Sequence, residues 1–385
     1  DNTAVGKDAL EANTTANYNT GIGSRALTAN TTGQYNVAVG ADCLMWNTTG
    51  ETNTAVGYYA LGSNSTGEQN VAVGQNCMAD NSTGHFNTAI GRSALKANTT
   101  ANSNTAVGYF ALDTNTTGNE NVAAGAEAMQ ANTTGSENVA IGRSALKVNT
   151  TGNNNVAIGR TSLFASTTGD NLTAVGKSAL QDNTTGYNNT AIGHEAQQNV
   201  TTGAGNASCG HNTLNACTTG GSNSALGNTA GGAVTTGNGN TFLGNDSGRS
   251  NSPSGEVTTG SNIICLGDNG ITDLYCADTS ISSSDKRDKT DVTDFTHGLS
   301  WVNQLKPITY RWDKRTWYDD LTPDGTKKRN KKHIGFLAQD VLAIEGNPTD
   351  KDDMLVVNLN EDNTAYGLKY ERFVPILVNA IKELS

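Results

Sequence analysis

Apolar and small residues return every 17 positions through most of this chain, in units close to N-[TV]-A-[VI]-G-x-x-A-L-x-x-N-T-T-G-x-x. Fifteen copies keep strict register, their marker glycines running from Gly6 through Gly91 and Gly142 to Gly244. In the copy Asn87–Ser103, Asn87-Thr88-Ala89-Ile90-Gly91 reads as a short strand. Ile90 stands in one apolar column with Val5, Val73, Ile141, Ile158 and Leu243, and a second column four residues after each glycine holds Leu10, Leu27, Leu95 and Leu146. The alanine two places before the glycine, Ala89 here, is expected to leave room for close backbone approach. A unit this short cannot enclose a core, so each copy must be one coil stacked on its neighbours.

Asparagine and glycine are expected at the corners, since both tolerate left-handed backbone and Asn bonds locally in turns. Stacking would place Asn36, Asn53, Asn70, Asn87 and Asn104 above one another as a hydrogen-bonded ladder, at the spacing of about 4.8 Å between strands. Fifteen coils then make a rod of roughly 70 Å. The apolar area per chain is small against a backbone ordering cost of about 1–2 kcal/mol per residue, which predicts a homotrimer. The Asn-Thr-Thr triplets at Asn13, Asn30, Asn115 and Asn132 fit a glycosylation sequon, but the turn role accounts for them. Regularity decays late: Leu172 replaces the strand-opening Asn, Gln197, Gly231 and Gly248 interrupt the leucine column, and six residues are inserted around Asn251–Gly255 before the last copy at Asn262–Gly267. This stretch is expected to be a cap or transition, with a receptor-contact tip as the alternative.

The repeat resembles the head repeats of trimeric autotransporter adhesins through Asn-x-Ala-[Val/Ile]-Gly, which implies a β-roll; a three-chain β-helix is the alternative. The predicted fold class is mainly β: a trimeric β-roll or β-helix fibre of 17-residue coils, then a small α+β trimerising domain ending in a helix. The expected domains are a shaft over 1–248, a transition over 249–283 and a C-terminal domain over 284–385.

Charge sharpens that division. The chain carries a formal −11, and residues 284–385 hold 16 of its 25 Lys and Arg and 17 of its 36 Asp and Glu, so the repeats account for −10. An acidic shaft opposes nucleic-acid binding, which relies on Lys and Arg clusters. No run of 18 apolar residues is present, so no membrane insertion is expected. The chain opens inside a repeat at Asp1-Asn2-Thr3, as expected of a piece of a longer protein. The six cysteines, Cys43, Cys77, Cys209, Cys217, Cys265 and Cys276, show no CxxC spacing and are expected to be small buried packers. Neither a cofactor nor a metal is expected: Asp350-Lys351-Asp352-Asp353 lacks the glycine and terminal glutamate of a calcium loop, and His297 and His333 have no zinc-like partners.

The C-terminal part carries the candidate chemistry. Ser284-Asp285-Lys286-Arg287-Asp288-Lys289 precedes Leu305-Lys306-Pro307-Ile308-Thr309-Tyr310-Arg311-Trp312 and then Ile334-Gly335-Phe336-Leu337-Ala338-Gln339-Asp340-Val341. Together they resemble the intramolecular chaperone, or peptidase S74, domain at the C-termini of phage tailspikes, tail fibres and endosialidases. The resemblance implies a trimeric folding aid that cuts itself off, with Ser284 as nucleophile and Lys289 as general base, cleavage between Ser283 and Ser284, and support from Asp285 and Arg287. A serine hydroxyl needs a base, and lysine serves where its neutral form is favoured. From Tyr370 to Leu384 apolar residues recur at helical spacing, with Pro375 in the early turns, as a core or trimer seam. Gly325–His333 reads as a basic, solvated hairpin tip.

The expected function is a structural virion fibre, a phage tail fibre or tailspike shaft for host attachment, assembled in the host cytoplasm. Its expected partners are two further copies, a host cell-surface receptor with glycans as one class, and other tail proteins through a preceding segment. The alternatives are a bacterial surface adhesin using the same chaperone, and a trimerisation cap that does not cleave. An enzyme acting on polysaccharide is disfavoured, because no pair of carboxylates recurs at fixed coil positions.

Overall fold

A computed structural model describes residues 1–271, 289–315, 318, 320–360 and 365–385. These divide into two compact units: Asp1–Ser247 with Thr258–Leu266, and Gly248–Val257 with Gly267–Ser385.

The first unit is a single-chain β-solenoid. Sixteen three-residue strands, β1 (Thr3–Val5) to β16 (Ile264–Leu266), form one parallel sheet in chain order, each in register with the strand 17 residues on, as Thr88↔Thr105. Each chain therefore closes its own coil, and the three-chain β-helix does not apply. The six-residue insertion appears as a jump in pairing, from 17 residues apart to 23 at Thr235–Thr258.

Inside the strand the structure corrects the sequence reading. Ala89 and its equivalents from Ala38 to Ala191 are fully buried, whereas Ile90, Val107, Ile141 and Ile158 face outward at 42%, 40%, 42% and 37% exposure. With side chains alternating along a strand, only the middle residue of three can point inward. The close backbone approach belongs to the glycine instead. A Cβ on Gly91 would lie 2.5 Å from the Gly108 carbonyl oxygen, and its φ of +133° is one that side chains other than hydrogen rarely allow.

The corners also differ from expectation. Left-handed backbone occurs at three columns per coil: two and four residues after the marker glycine, and five before it, as at Ser93, Leu95 and Phe86. The leucine column thus sits at φ near +50°, a conformation that costs such a residue about 1–2 kcal/mol. Complete burial of Leu95 and its equivalents offsets this, contributing about 1.5–3 kcal/mol each.

Asn76, Asn154, Asn171, Asn188 and Asn212 do take left-handed corners, but the asparagines that recur from coil to coil form two buried ladders instead. In the first, Asn104 N–H donates to Asn87 Oδ1 at 2.9 Å and Asn87 Nδ2 donates to the Ala101 carbonyl at 2.9 Å. The second joins Asn47, Asn64, Asn81 and Asn98 through amide bonds of 2.7–2.8 Å. The threonine after each of these completes the unit: Thr99 Oγ1 donates to the Thr116 carbonyl of the next coil at 3.1 Å. The sequon is therefore a folding motif, with Asn30, Asn115 and Asn132 fully buried.

Where the repeat decays, substitutions come in space-sharing pairs. Gln197, buried in the leucine column, donates to Ser208 Oγ at 3.0 Å, and Ser208 replaces the strand alanine of the next coil. Gly231 has no side chain because the ring of Phe242 fills that place; a Cβ there would lie 2.6 Å from it. Cysteines follow the columns too: Cys43, Cys77, Cys217 and Cys265 are buried, but Cys209 is exposed, because the pre-glycine column faces out.

In the second unit, α1 (Leu299–Val302) packs on α3 (Phe373–Leu384). Strand β17 (Ile308–Tyr310) pairs antiparallel with β18 (His333–Gly335), and β19 (Val357–Leu359) with β20 (Tyr366–Leu368). Helix α2 (Ala338–Ile344) contributes Val341 to a core of Trp301, Met354, Val356, Val357, Phe373 and Ile376. The predicted basic tip is the exposed connection between β17 and β18.

Candidate functional site

The C-terminal unit is organised around the end of β18 and the start of α3. Gly335 and Phe336 follow from β18 into α2, and the Tyr370 hydroxyl lies directly against them, accepting the Phe336 N–H at 3.2 Å. A side chain at Gly335 would meet that hydroxyl at 2.4 Å, which explains a glycine where the backbone needs no special angle. Phe336 stacks on Phe373 at 5.2 Å and on Tyr370 at 6.3 Å between ring centroids. The motif Gly335-Phe336-Leu337-Ala338-Gln339-Asp340-Val341 is therefore the joint that fastens β18, α2 and the C-terminal helix together.

Two polar clamps hold the same helix. Glu383 accepts the Leu299 N–H at 2.9 Å, and Asn379 Nδ2 donates to the Phe295 carbonyl at 2.7 Å. Glu345, from the end of α2, accepts the N–H groups of Val356 and Val357 at 2.6 and 3.2 Å. On the hairpin, Tyr310 stacks on His333 at 5.5 Å and meets Trp312 edge to face at 5.2 Å. Burial raises the Tyr310 hydroxyl above its ordinary pKa, with the Tyr370 hydroxyl adding to the effect.

Residues 284–349 match the chaperone of endosialidase family (peptidase S74). The chaperone match thus begins at Ser284 and covers β17, β18 and α2, ending before β19 and α3. The chain matches no curated protein and no solved structure. A chaperone segment behind a repetitive solenoid is the arrangement of a fibre-like protein with a C-terminal assembly domain.

Of the sequence-predicted catalytic set, Ser283, Ser284, Asp285 and Arg287 lie outside the described residues. Lys289 is described and is exposed. The pairing of nucleophile and base thus falls outside the described residues. The structure does reveal a surface that the sequence reading left open between two roles. Phe373, Ile376 and Ala380 of α3 are buried, while Val374, Leu377, Val378, Ile381 and Leu384 on its other side are 44–71% exposed. Helical spacing alone fits either face to the core; the signal that separates them is the aromatic trio Phe336, Tyr370 and Phe373, which claims one side.

Proposed function

We propose that the chain is the shaft of a homotrimeric virion fibre, a phage tail fibre or tailspike, whose C-terminal unit gathers three copies and then cuts itself away. The chaperone match over 284–349 carries this reading. The outer side of α3 supports it: five apolar side chains left in water along a 12-residue helix are what a helix shows when its partners are other chains. Within the virion the shaft would serve host attachment through a cell-surface receptor.

Cleavage in this reading is a single self-directed event. Ser284 Oγ attacks the Ser283 carbonyl carbon while Lys289 takes the hydroxyl proton. The Ser283–Ser284 amide bond breaks, its nitrogen leaving as the protonated α-amine, and the Ser283 acyl group passes to Oγ as an ester. Water hydrolyses the ester, regenerating the Ser284 hydroxyl and releasing a carboxylate on Ser283. Removal of the assembling piece would leave a shaft held by its unfolding barrier rather than by equilibrium.

Intact-mass measurement of the wild type beside Ser284→Ala, with native mass on both, tests the proposal. Fragments 1–283 and 284–385 from the wild type alone, with a trimeric shaft, are expected. An intact trimer from both would retire cleavage and leave a permanent trimerisation cap, and a folded monomer would overturn the fibre.

A further inference from the structure

The outer face of the solenoid's sheet is built unlike its other sides. Each strand turns two residues outward, the first and the third, and over sixteen strands these are Thr, Val, Ile, Leu, Ala, Ser and one Cys, with no charged residue. The third-residue column is the more exposed, reaching 57% at Val5, 42% at Ile141 and Ile192 and 55% at Leu226. At about 4.8 Å between strands and 3.3 Å per residue, the band is roughly 75 Å long and covers some 500 Å² in projection. That is at the upper end of what a monomer leaves in water. It is not spare core: the coil interior is already filled by the alanine and leucine columns, both completely buried.

The margins of the band carry opposite charge. The two residues before each strand-opening asparagine, or the residue replacing it, include Glu51, Glu68, Glu120, Glu137 and Asp170 and not one Lys or Arg. The residue that follows each of the fifteen marker glycines includes Arg92, Arg143, Arg160 and Lys177 and no acid; Asp268 stands there only after the last strand. Of the acids one position further on, Asp42 is paired with Arg25 at 2.7 Å and Glu127 with Lys147 at 2.9 Å; Asp8, Glu195 and Asp246 share that column. When two copies face each other in parallel, the acidic margin of one lies opposite the basic margin of the next; an antiparallel pair would set like against like.

We infer that this strand face is the seam along which the copies of this chain pack, all pointing the same way, in the trimer. The inference rests on the trimer proposed above and supplies its contact surface within the shaft. The charged margins select the parallel arrangement, which is also the one that puts three C-terminal units at the same end.

Single cysteines test it in the full chain carrying Cys209→Ser, Cys276→Ser and Ser284→Ala. Ile141→Cys places a thiol on the strand face, and Thr134→Cys places one on an exposed site of another side. A short bis-maleimide is applied, with native mass determined on the same samples. A trimer in which Ile141→Cys cross-links copies at least tenfold more than Thr134→Cys supports the seam. A trimer in which Thr134→Cys cross-links equally or better, or in which neither does, overturns the seam and leaves the trimer standing. A monomer overturns both. Ile141→Asp is the companion variant: loss of the trimer with the solenoid's circular dichroism retained supports the seam, and an unchanged trimer opposes it.

Discussion

Both asparagine ladders are interrupted in one coil, and repairing them is a quantitative test of what they contribute. Ser166 replaces the second-ladder asparagine, and two buried atoms there have no hydrogen-bond partner: Asn149 Oδ1 and Ser166 Oγ. Leu172 replaces the first-ladder asparagine, so Asn189 N–H has no side-chain acceptor of the kind Asn155 offers Leu172 N–H at 2.9 Å. The two replacements share space. A Cβ built on Gly152 or Gly186 would lie 2.4–2.5 Å from the Oδ1 of the ladder asparagine, but on Gly169 it would meet Leu172 Cδ1 at 2.9 Å. Ser166→Asn alone therefore collides with Leu172 and is expected to cost about 1–3 kcal/mol. With Leu172→Asn as well, Asn149 Oδ1 and Asn189 N–H regain partners; Asn183 Oδ1 does not, because the residue one coil on is Val200. Each such group costs about 1–3 kcal/mol when left unpaired. The leucine's lost burial subtracts about 2 kcal/mol. With two groups regained, the middle of these ranges makes the double variant about 2 kcal/mol more stable than wild type. Hydrogen exchange on the intact protein reads this locally, because each 1.4 kcal/mol slows exchange through local opening about tenfold. The amides of residues 160–193 should exchange faster in Ser166→Asn and slower than wild type in the double variant. If the two substitutions add to within about 0.5 kcal/mol, they do not share a site and the pairing argument is wrong.

Three further outcomes follow from the same geometry. Gly91→Ala is expected to cost more than about 3 kcal/mol, since it combines the 2.5 Å contact with a forbidden backbone angle, whereas Gly84→Ala meets the Ala101 carbonyl oxygen as closely but at an ordinary backbone angle and should cost less; melting temperatures of the two variants give the comparison. Desolvation pushes the Cys43 and Cys77 thiols up to about 12 and Cys217 to about 11, so at pH 8 a thiol reagent should label these three only in denaturant. Tyr370→Phe removes the hydroxyl that accepts the Phe336 N–H and should destabilise the C-terminal unit by about 1 kcal/mol, measured by its unfolding midpoint in urea; an unchanged midpoint would mean that the joint is held by ring packing alone.

The coil, its period, the insertion and the ladder through Asn36, Asn53 and Asn87 were legible because repetition states each rule many times over. The direction of the strand was misjudged for a physical reason: Ile90 looks more like core than Ala89, but a slim coil has room inside its strand only for a methyl group. Leucine in a left-handed corner was invisible, since propensity argues against it and only burial in the stacked coil overrides that. The paired exceptions, Gln197 with Ser208 and Gly231 with Phe242, read as decay in a single line of sequence; they become compensation only when the fold sets residues of successive coils side by side. In the C-terminal unit the motif carrying Gly335 was recognisable, while its partner Tyr370 is 35 residues away and nothing local announces the contact.

If the strand face is the seam, its own chemistry explains why such a fibre needs a separate unit to set its register. A slip of one copy by one coil forfeits contact at only one strand in sixteen, because every strand presents nearly the same pair of side chains. The charged margins do not restore the distinction. In register, the coils that carry both an acid before the strand and a base after the glycine are those of Asp1 with Lys7, Glu137 with Arg143 and Asp170 with Lys177. Slipped by one coil in one direction, Glu68 meets Arg92, Glu120 meets Arg143 and Glu137 meets Arg160, a count no worse than the correct one. Surface pairs of this kind contribute at most about 1 kcal/mol each and are screened by salt. The repeat thus supplies adhesion and polarity but almost no information about alignment. That information has to come from a non-repetitive element, and the second unit, with its single core around Trp301 and Phe373 and its exposed side of α3, is the part of this chain that has one. A chain lacking residues 267–385 is accordingly expected to associate but to give a mixture of staggered assemblies, visible as a ladder of lengths, where the full chain gives one.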